Sequence, residues 1–167
     1  LTTASFPNAT SIGSYAFYLC SNLTTASFPN ASSIGNNAFN WCINLTTASF
    51  PNASLIGSSA FERCVKLTTA SFPNATSIGS YAFYSCTNLT TASFPNATLI
   101  GSYAFTDCSS LTSIYFTGSS IPTLANSNAF SRIATSYSIY VAESLYSQYI
   151  VANQWSMISS HITSYIS

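Results

Sequence analysis

Five consecutive copies of one 22-residue segment, without insertion or deletion, make up the first two-thirds of this chain. The copies begin at Leu1, Leu23, Leu45, Leu67 and Leu89, and a degenerate sixth begins at Leu111. A segment this short cannot bury its apolar side chains alone, so successive copies must stack into a solenoid in which each coil contacts its neighbours. The repeat therefore constrains the architecture more than any other feature.

Invariant apolar and small residues recur at fixed positions of the repeat, numbered here from 1 to 22, and we predict that they point into the core. Because Ala4 and Phe6 are separated by Ser5, positions 2–6 are predicted to form a short strand. The Pro-Asn pair at positions 7 and 8 ends it, since proline lacks an N–H. Gly13 is expected to adopt a backbone conformation that other residues avoid, and positions 14–20 to form one helical or 3₁₀ turn. The inward set is Leu at position 1, Ala at 4, Phe at 6, Ala at 9, Ile at 12, Ala at 16, Phe at 17 and Cys at 20.

Identical side chains at one repeat position are expected to form ladders along the stack, about 4.8 Å apart. Two phenylalanine ladders are predicted. The first comprises Phe6, Phe28, Phe50, Phe72, Phe94 and Phe116, and the second comprises Phe17, Phe39, Phe61, Phe83, Phe105 and Phe130.

The repeat pattern breaks down after Leu111, and the remainder is predicted to close the hydrophobic end of the stack. Residues 136–141 are predicted to form a last strand and residues 143–152 an amphipathic helix, with Trp155, Ile158 and Ile162 as further apolar cover. We expect leucine-rich repeats over residues 1–119 and a C-terminal cap, continuous with the solenoid, over residues 120–167.

Charge is scarce, with three basic and three acidic residues and no net charge. Three scattered basic residues cannot supply the field that attracts nucleic acid. The apolar runs are short and interrupted by Ser, Thr and Asn, which argues against membrane insertion of this segment. We therefore expect neither nucleic-acid binding nor membrane insertion of this segment.

The residues that could carry chemistry are few, and we expect no enzyme, no cofactor and no metal site. The lone His161 has no evident catalytic partner, and the acidic residues lie in different coils. Metal sites need ligands that converge from different directions, whereas side chains in register point the same way. The five cysteines at position 20 are therefore predicted to be buried free thiols; they are Cys20, Cys42, Cys64, Cys86 and Cys108.

The pattern L-x-x-A/I-x-F/L-P-N-x-x-x-I-G-x-x-A-F-x-x-C resembles the BspA-like leucine-rich repeats, and the segment SIYVAESLYSQYIVANQWSMIS resembles a terminal cap of surface proteins from gut Firmicutes. Those caps usually have Pro where Ala142 stands. The resemblance, with the period, implies a β-rich α/β fold: a right-handed leucine-rich-repeat solenoid with a parallel sheet on the concave side, short helical or 3₁₀ turns on the convex side and one helix in the cap. It also implies an extracellular, cell-surface bacterial protein used in adhesion or in contact with a host or matrix, without catalytic residues.

Two surfaces are available for binding. The strand surface carries Thr2, Thr3 and Ser5 unchanged in copies two to five, whereas positions 10, 11, 14, 15, 18, 19, 21 and 22 vary. Tyr, Trp and Arg, which are enriched at binding hot spots, occur among the variable positions. A protein ligand is expected, with a glycan ligand stacked on exposed Tyr and Trp or a passive spacer as alternatives. The candidate partner-binding residues are Tyr15, Tyr18, Trp41, Arg63, Tyr81, Tyr84 and Tyr103.

The first copy is a typical repeat, although terminal coils of a solenoid are normally atypical because they close the stack. We therefore expect the chain to be part of a longer protein. We also expect its first coil to expose an edge strand and the rings of Phe6 and Phe17, and so to favour self-association through this N-terminal edge.

Overall fold

Short parallel strands stack coil upon coil through the whole molecule. The computed structural model describes residues 1–166. Each full repeat contributes two strands rather than the single predicted one, at positions 3–5 and 11–12. The strands are β1 Thr3–Ser5, β2 Ser11–Ile12, β3 Thr25–Ser27, β4 Ser33–Ile34, β5 Thr47–Ser49, β6 Leu55–Ile56, β7 Thr69–Ser71, β8 Ser77–Ile78, β9 Thr91–Ser93, β10 Leu99–Ile100, β11 Ser113–Phe116, β12 Thr123–Leu124, β13 Ser138–Ala142 and β14 Ile162–Tyr165.

One side of the solenoid, the strand face, is formed by β1, β3, β5, β7, β9, β11, β13 and β14. Its pairings are parallel and offset by one repeat, for example Thr3 with Thr25. In the part of the chain described, the pairing is interrupted between β5 and β7, which divides the strand face into sheets of three and five strands. The even-numbered strands from β2 to β12 form a second sheet of six strands.

The segment at positions 14–22 of each coil forms a third side, the turn face. Bonds from residue i+3 to residue i recur as in a 3₁₀ turn, for example Tyr18 N to Tyr15 O at 3.1 Å. The residues at positions 15 and 19, however, have positive φ, so successive turns replace the single helical or 3₁₀ turn that the sequence predicts. A regular 3₁₀ helix on this side occurs at Ser127–Phe130.

The left-handed residues explain how the turn face satisfies its backbone. They direct alternate N–H groups along the solenoid axis, where those of Tyr15, Phe17 and Leu19 donate to carbonyls of the next coil at 2.7–2.9 Å. The N–H groups between them bond within the coil. The turn face is therefore tied across coils as a sheet would be, and these backbone N–H groups find partners.

The core lies between the three sides and consists of the predicted ladders. The Phe6 and Phe17 ladders are confirmed, with stacked rings such as Phe39 and Phe61, whose centroids are 5.2 Å apart at 4°. Phe130 continues the second ladder at 5.6 Å from Phe105. The first ring of the Phe6 ladder is less covered than the second, since Phe6 is 48% exposed whereas Phe28 is 3% exposed.

Glycine at position 13 of the repeat allows close packing of adjacent coils and does not, as predicted, provide an unusual backbone conformation. None of the glycines has a positive φ, so the expectation of a special conformation at Gly13 was wrong. A Cβ on Gly57 would lie 2.6 Å from both the Asn36 nitrogen and the Gly35 carbonyl carbon. The residue at position 13 is glycine because the preceding coil passes too close for any side chain.

The C-terminal segment continues the stack with more short elements than the sequence predicts. β13 pairs in parallel with β11 and β14. The predicted helix over residues 143–152 is shorter, a 3₁₀ turn at Glu143–Leu145 followed by α1 at Tyr146–Tyr149, and a second 3₁₀ segment covers Trp155–His161. Trp155 is buried and donates from Nε1 to the Pro122 carbonyl at 2.7 Å. The predicted cap extends to residue 167, which lies outside the described residues.

Candidate functional site: the aromatic turn face

The backbone of the turn face places the candidate side chains in an uncommon conformation. All residues at positions 15 and 19 of the five full copies have φ between 55° and 63°, and none of them is glycine. A left-handed residue with a Cβ costs roughly 1–2 kcal/mol. Asn37 and Asp107 tolerate this region comparatively well, but the aromatic side chains do not. Five of the seven candidate residues occupy these positions: Tyr15, Trp41, Arg63, Tyr81 and Tyr103.

The structure brings the candidate residues together in three groups rather than in one patch. In the first coil, the rings of Tyr15 and Tyr18 meet edge to face with centroids 5.6 Å apart. Both side chains are exposed. This group lies at the open end of the stack.

The second group joins two coils through a cation and an aromatic ring. The guanidinium carbon of Arg63 lies 4.6 Å from the centroid of the Trp41 ring, a contact that contributes about 0.5–1 kcal/mol at an exposed site. Trp41 remains 40% exposed. One face of the indole is thus occupied by Arg63.

The third group spans the fourth and fifth coils. The Tyr81 ring stacks on Tyr103 at 5.1 Å and meets Tyr84 edge to face at 5.7 Å. Asn128 donates from Nδ2 to the Tyr103 hydroxyl at 3.3 Å. Tyr81 is exposed, whereas Tyr84 and Tyr103 are half-buried.

Polar contacts that the sequence did not single out lie between these groups. Asn40 is buried beside Trp41 and donates from Nδ2 to Asn37 Oδ1 at 2.8 Å and to Glu62 Oε2 at 3.5 Å. Further along, Arg132 forms an ion pair with Asp107 at 2.8 Å. The spacing of 22 residues between Asn40 and Glu62 was the available signal, because it places them at one repeat position in adjacent coils.

The cysteines are free, as predicted, and four of the five are buried. Each buried thiol donates to the carbonyl of the phenylalanine 25 residues earlier, for example Cys64 Sγ to Phe39 O at 3.2 Å. Burial raises the pKa of the Cys42 thiol to about 12 and raises the pKa values of Cys64 and Cys108 well above the ordinary value. Cys20 is only half-buried because no coil covers its side. A buried thiol with a raised pKa is a poor nucleophile, so the cysteine ladder contributes to packing rather than to reactivity.

Asparagine side chains also join adjacent coils, and the histidine packs against a tyrosine of the C-terminal segment. Asparagines at position 8 donate from Nδ2 to the proline carbonyl of the preceding coil at 2.7–2.8 Å; they are Asn30, Asn52, Asn74 and Asn96. His161 stacks on the Tyr137 ring with centroids 3.9 Å apart, and its Nδ1 lies 3.3 Å from the Tyr137 carbonyl. The amides and the imidazole therefore contribute to packing and hydrogen bonding.

Residues 1–166 contain no cluster of three or more His, Cys, Asp or Glu side chains able to hold a metal ion. Among the helices described, none is both long and apolar enough to cross a membrane.

Comparisons with known proteins agree with this architecture. The BspA type leucine rich repeat region, in six copies, matches residues 10–137 and 54–164. A leucine rich repeat protein of T. pallidum, known from its crystal structure, is 31% identical with a TM-score of 0.66, and the match covers 68% of this chain and 58% of that one. No curated protein matches this chain.

A leucine rich cell surface protein of Faecalibacterium prausnitzii A2-165, also known from its crystal structure, is 21% identical with a TM-score of 0.53. The match covers 86% of this chain and 55% of that one, and at this identity it shows the fold alone. This chain thus spans little more than half the length of either structure. Because the family match extends over well over half of its residues, the chain belongs to the BspA type leucine rich repeat family.

Proposed function

We propose that this chain is a non-enzymatic interaction module of a bacterial cell-surface protein and that its turn face binds a protein partner. Proteins of the leucine-rich-repeat family are typically non-enzymatic scaffolds. One similar structure is named a leucine rich cell surface protein, which supports a surface location for this chain.

The observation that carries the proposal is the presence of large side chains where the backbone favours glycine. Trp41, Arg63 and Tyr81 all have φ near 60°, and their side chains lie on the surface or half-buried. Backbone strain of this kind is concentrated at functional sites. Trp, Tyr and Arg are also the residues that dominate binding energy at protein interfaces.

The geometry around Trp41 favours a protein over a glycan. A sugar binds tryptophan by stacking on a ring face, and Arg63 already covers one face at 4.6 Å. An aromatic ring paired with a guanidinium is a typical anchor of protein interfaces. Direct binding at the Trp41–Arg63 pair is therefore expected to involve a protein surface.

The test measures binding of the chain to immobilised host extracellular-matrix proteins in variants that fold normally by circular dichroism. Trp41→Ala and Arg63→Ala should weaken saturable binding about tenfold or more. Ser85→Ala is the matched control, because Ser85 occupies the repeat position of Trp41 and Arg63 with φ of 57°, and it should leave the affinity unchanged. The absence of saturable binding, or equal effects of all three changes, would contradict the proposal.

A further inference from the structure

A second aromatic cluster lies on the strand face near the C-terminal end, away from the turn face. Tyr115 in β11 and Tyr140 in β13 are register partners, and their rings stack with centroids 4.7 Å apart at 13°. The Tyr165 ring lies 5.9 Å from Tyr115 and 6.3 Å from Tyr140, nearly perpendicular to both. The similar distances place Tyr165 beside the stacked pair rather than on either end of it.

The core does not require these tyrosines. The alternate residues of the same strands, Ile114 and Ile139, are fully buried, whereas Tyr115 and Tyr140 face outward and are half-buried. In the five full copies the position of Tyr115 is held by serine, and Tyr115 pairs with Ser93 in the adjacent strand. The strand face thus changes from short hydroxyl side chains to aromatic rings where the regular repeat ends.

A cleft of about 310 Å³ adjoins this cluster, and Tyr165 lines it. The other lining residues are Thr117, Ala142, Glu143, Ser144 and Ile166. The volume is at the lower end of the range of about 300–1,000 Å³ that is usual for small-ligand pockets. An aromatic residue thus shares the cleft with one acidic residue and two hydroxyl-bearing residues.

The charges around the cleft select the class of ligand. Among residues 1–166, its lining contains one acidic residue and no basic residue, and Arg132 is already paired with Asp107. An anionic ligand would find no cation, whereas a neutral molecule with many hydroxyl groups could donate hydrogen bonds to Glu143. The apolar C–H face of a pyranose ring complements an aromatic face.

We propose that this cleft binds a neutral saccharide. Tyr165 stacks on the sugar ring, Glu143, Ser144 and Thr117 form hydrogen bonds with its hydroxyl groups, and the Tyr115–Tyr140 pair holds the Tyr165 ring in position. The site is independent of the protein-binding turn face, so either proposal can fail without the other.

Isothermal titration tests the proposal with soluble cello-, malto-, chito- and manno-oligosaccharides, and with a sialylated oligosaccharide as the anionic comparison. At least one neutral oligosaccharide should bind saturably. Tyr165→Ala should weaken binding about three- to tenfold or more, as expected for loss of an aromatic contact, whereas Tyr165→Phe should retain it. Glu143→Gln should weaken it as well.

Tyr115→Ser restores the residue of the regular repeat and should produce a partial loss, because Tyr165 then lacks one of its two supports. Met157→Ala, at an exposed position that does not line the cleft, is the control and should change nothing. Failure of every neutral oligosaccharide to bind, a preference for the sialylated one, or binding unaffected by Tyr165→Ala would overturn the proposal.

Discussion

At the level of single residues, the backbone angles of glycine and of the larger residues are the reverse of what their conformational preferences suggest. Gly57 has ordinary backbone angles but no room for a Cβ, whereas Tyr15 and Trp41 adopt left-handed angles with large side chains. The inward positions of the repeat were predictable because they never vary. The left-handed positions were not, since Tyr, Trp, Arg and Leu give no signal for positive φ. Two weak hints were available: Asn37 and Asp107 stand at these positions, and no β-branched residue does.

Two equivalent glycines differ in whether a preceding coil lies against them. Gly57→Ala forces a Cβ against the backbone of the preceding coil and should cost about 1–3 kcal/mol of unfolding free energy, as overpacking does. Gly13→Ala is the matched control, because nothing lies within 4 Å of a Cβ there, and it should be nearly neutral. Urea denaturation compares the two; equal destabilisation would refute the close-approach explanation.

The cysteine ladder predicts a loss of stability at alkaline pH. Burial raises the pKa of Cys42 from 9.0 to about 12, so above pH 9 the unfolded thiol ionises while the folded one stays neutral. Loss of protons by the unfolded state favours unfolding, so the stabilising contribution is complete below about pH 9 and declines toward pH 12. Unfolding free energies measured across this range should fall with pH, and less steeply in Cys42→Ala. A pH-independent stability would contradict the burial of the thiol.

At the level of elements, the sequence predicted the first strand of each repeat and the two phenylalanine ladders. It missed the second sheet, because a strand of two residues at positions 11–12 is too short to show alternation. It also predicted a helix longer than α1 and did not predict β14. Those elements depend on pairing with β13 and on cover by Trp155, which are contacts distant in sequence.

The first coil presents an open edge in this chain, and we predict that it drives end-to-end self-association. Phe6 and Phe17 line a shallow hollow of about 210 Å³ that a further coil would fill, and the Thr10 and Gly13 N–H groups correspond to those that bond to a preceding coil elsewhere. Sedimentation at low and high concentration should show a dimer that forms reversibly. Phe6→Ser should weaken it, and a strict monomer at both concentrations would refute the prediction.

At the level of the whole molecule, we propose that the repeats and the C-terminal cap form one cooperative unit, since β11, β13 and β14 pair continuously. Trp155 is buried in the cap, whereas Trp41 lies on the turn face of the second coil. In the Trp41→Phe variant, Trp155 is the remaining tryptophan, so tryptophan fluorescence reports on the cap. Far-ultraviolet circular dichroism reports on all coils. The two urea transitions should coincide; earlier loss of the Trp155 signal would show that the cap unfolds separately.

The whole solenoid presents two chemically distinct surfaces, an aromatic turn face and a Thr/Ser strand face that ends in a tyrosine cluster. The turn face was predictable in composition, because its positions are the ones that vary among copies. Its grouping into a tyrosine pair, an Arg–Trp pair and a tyrosine triad was not, because it depends on the 22-residue register and on the direction imposed by left-handed residues.

A protein partner is expected to bind the turn face. Hydroxyl-radical footprinting of the free chain, and of its complex with the matrix protein that binds most tightly, tests it directly. We predict that the complex protects Trp41, Tyr81 and Tyr103 from oxidation while Tyr115 and Tyr140 on the strand face react as in the free chain. Protection confined to the strand face, with unchanged oxidation of Trp41, would contradict it.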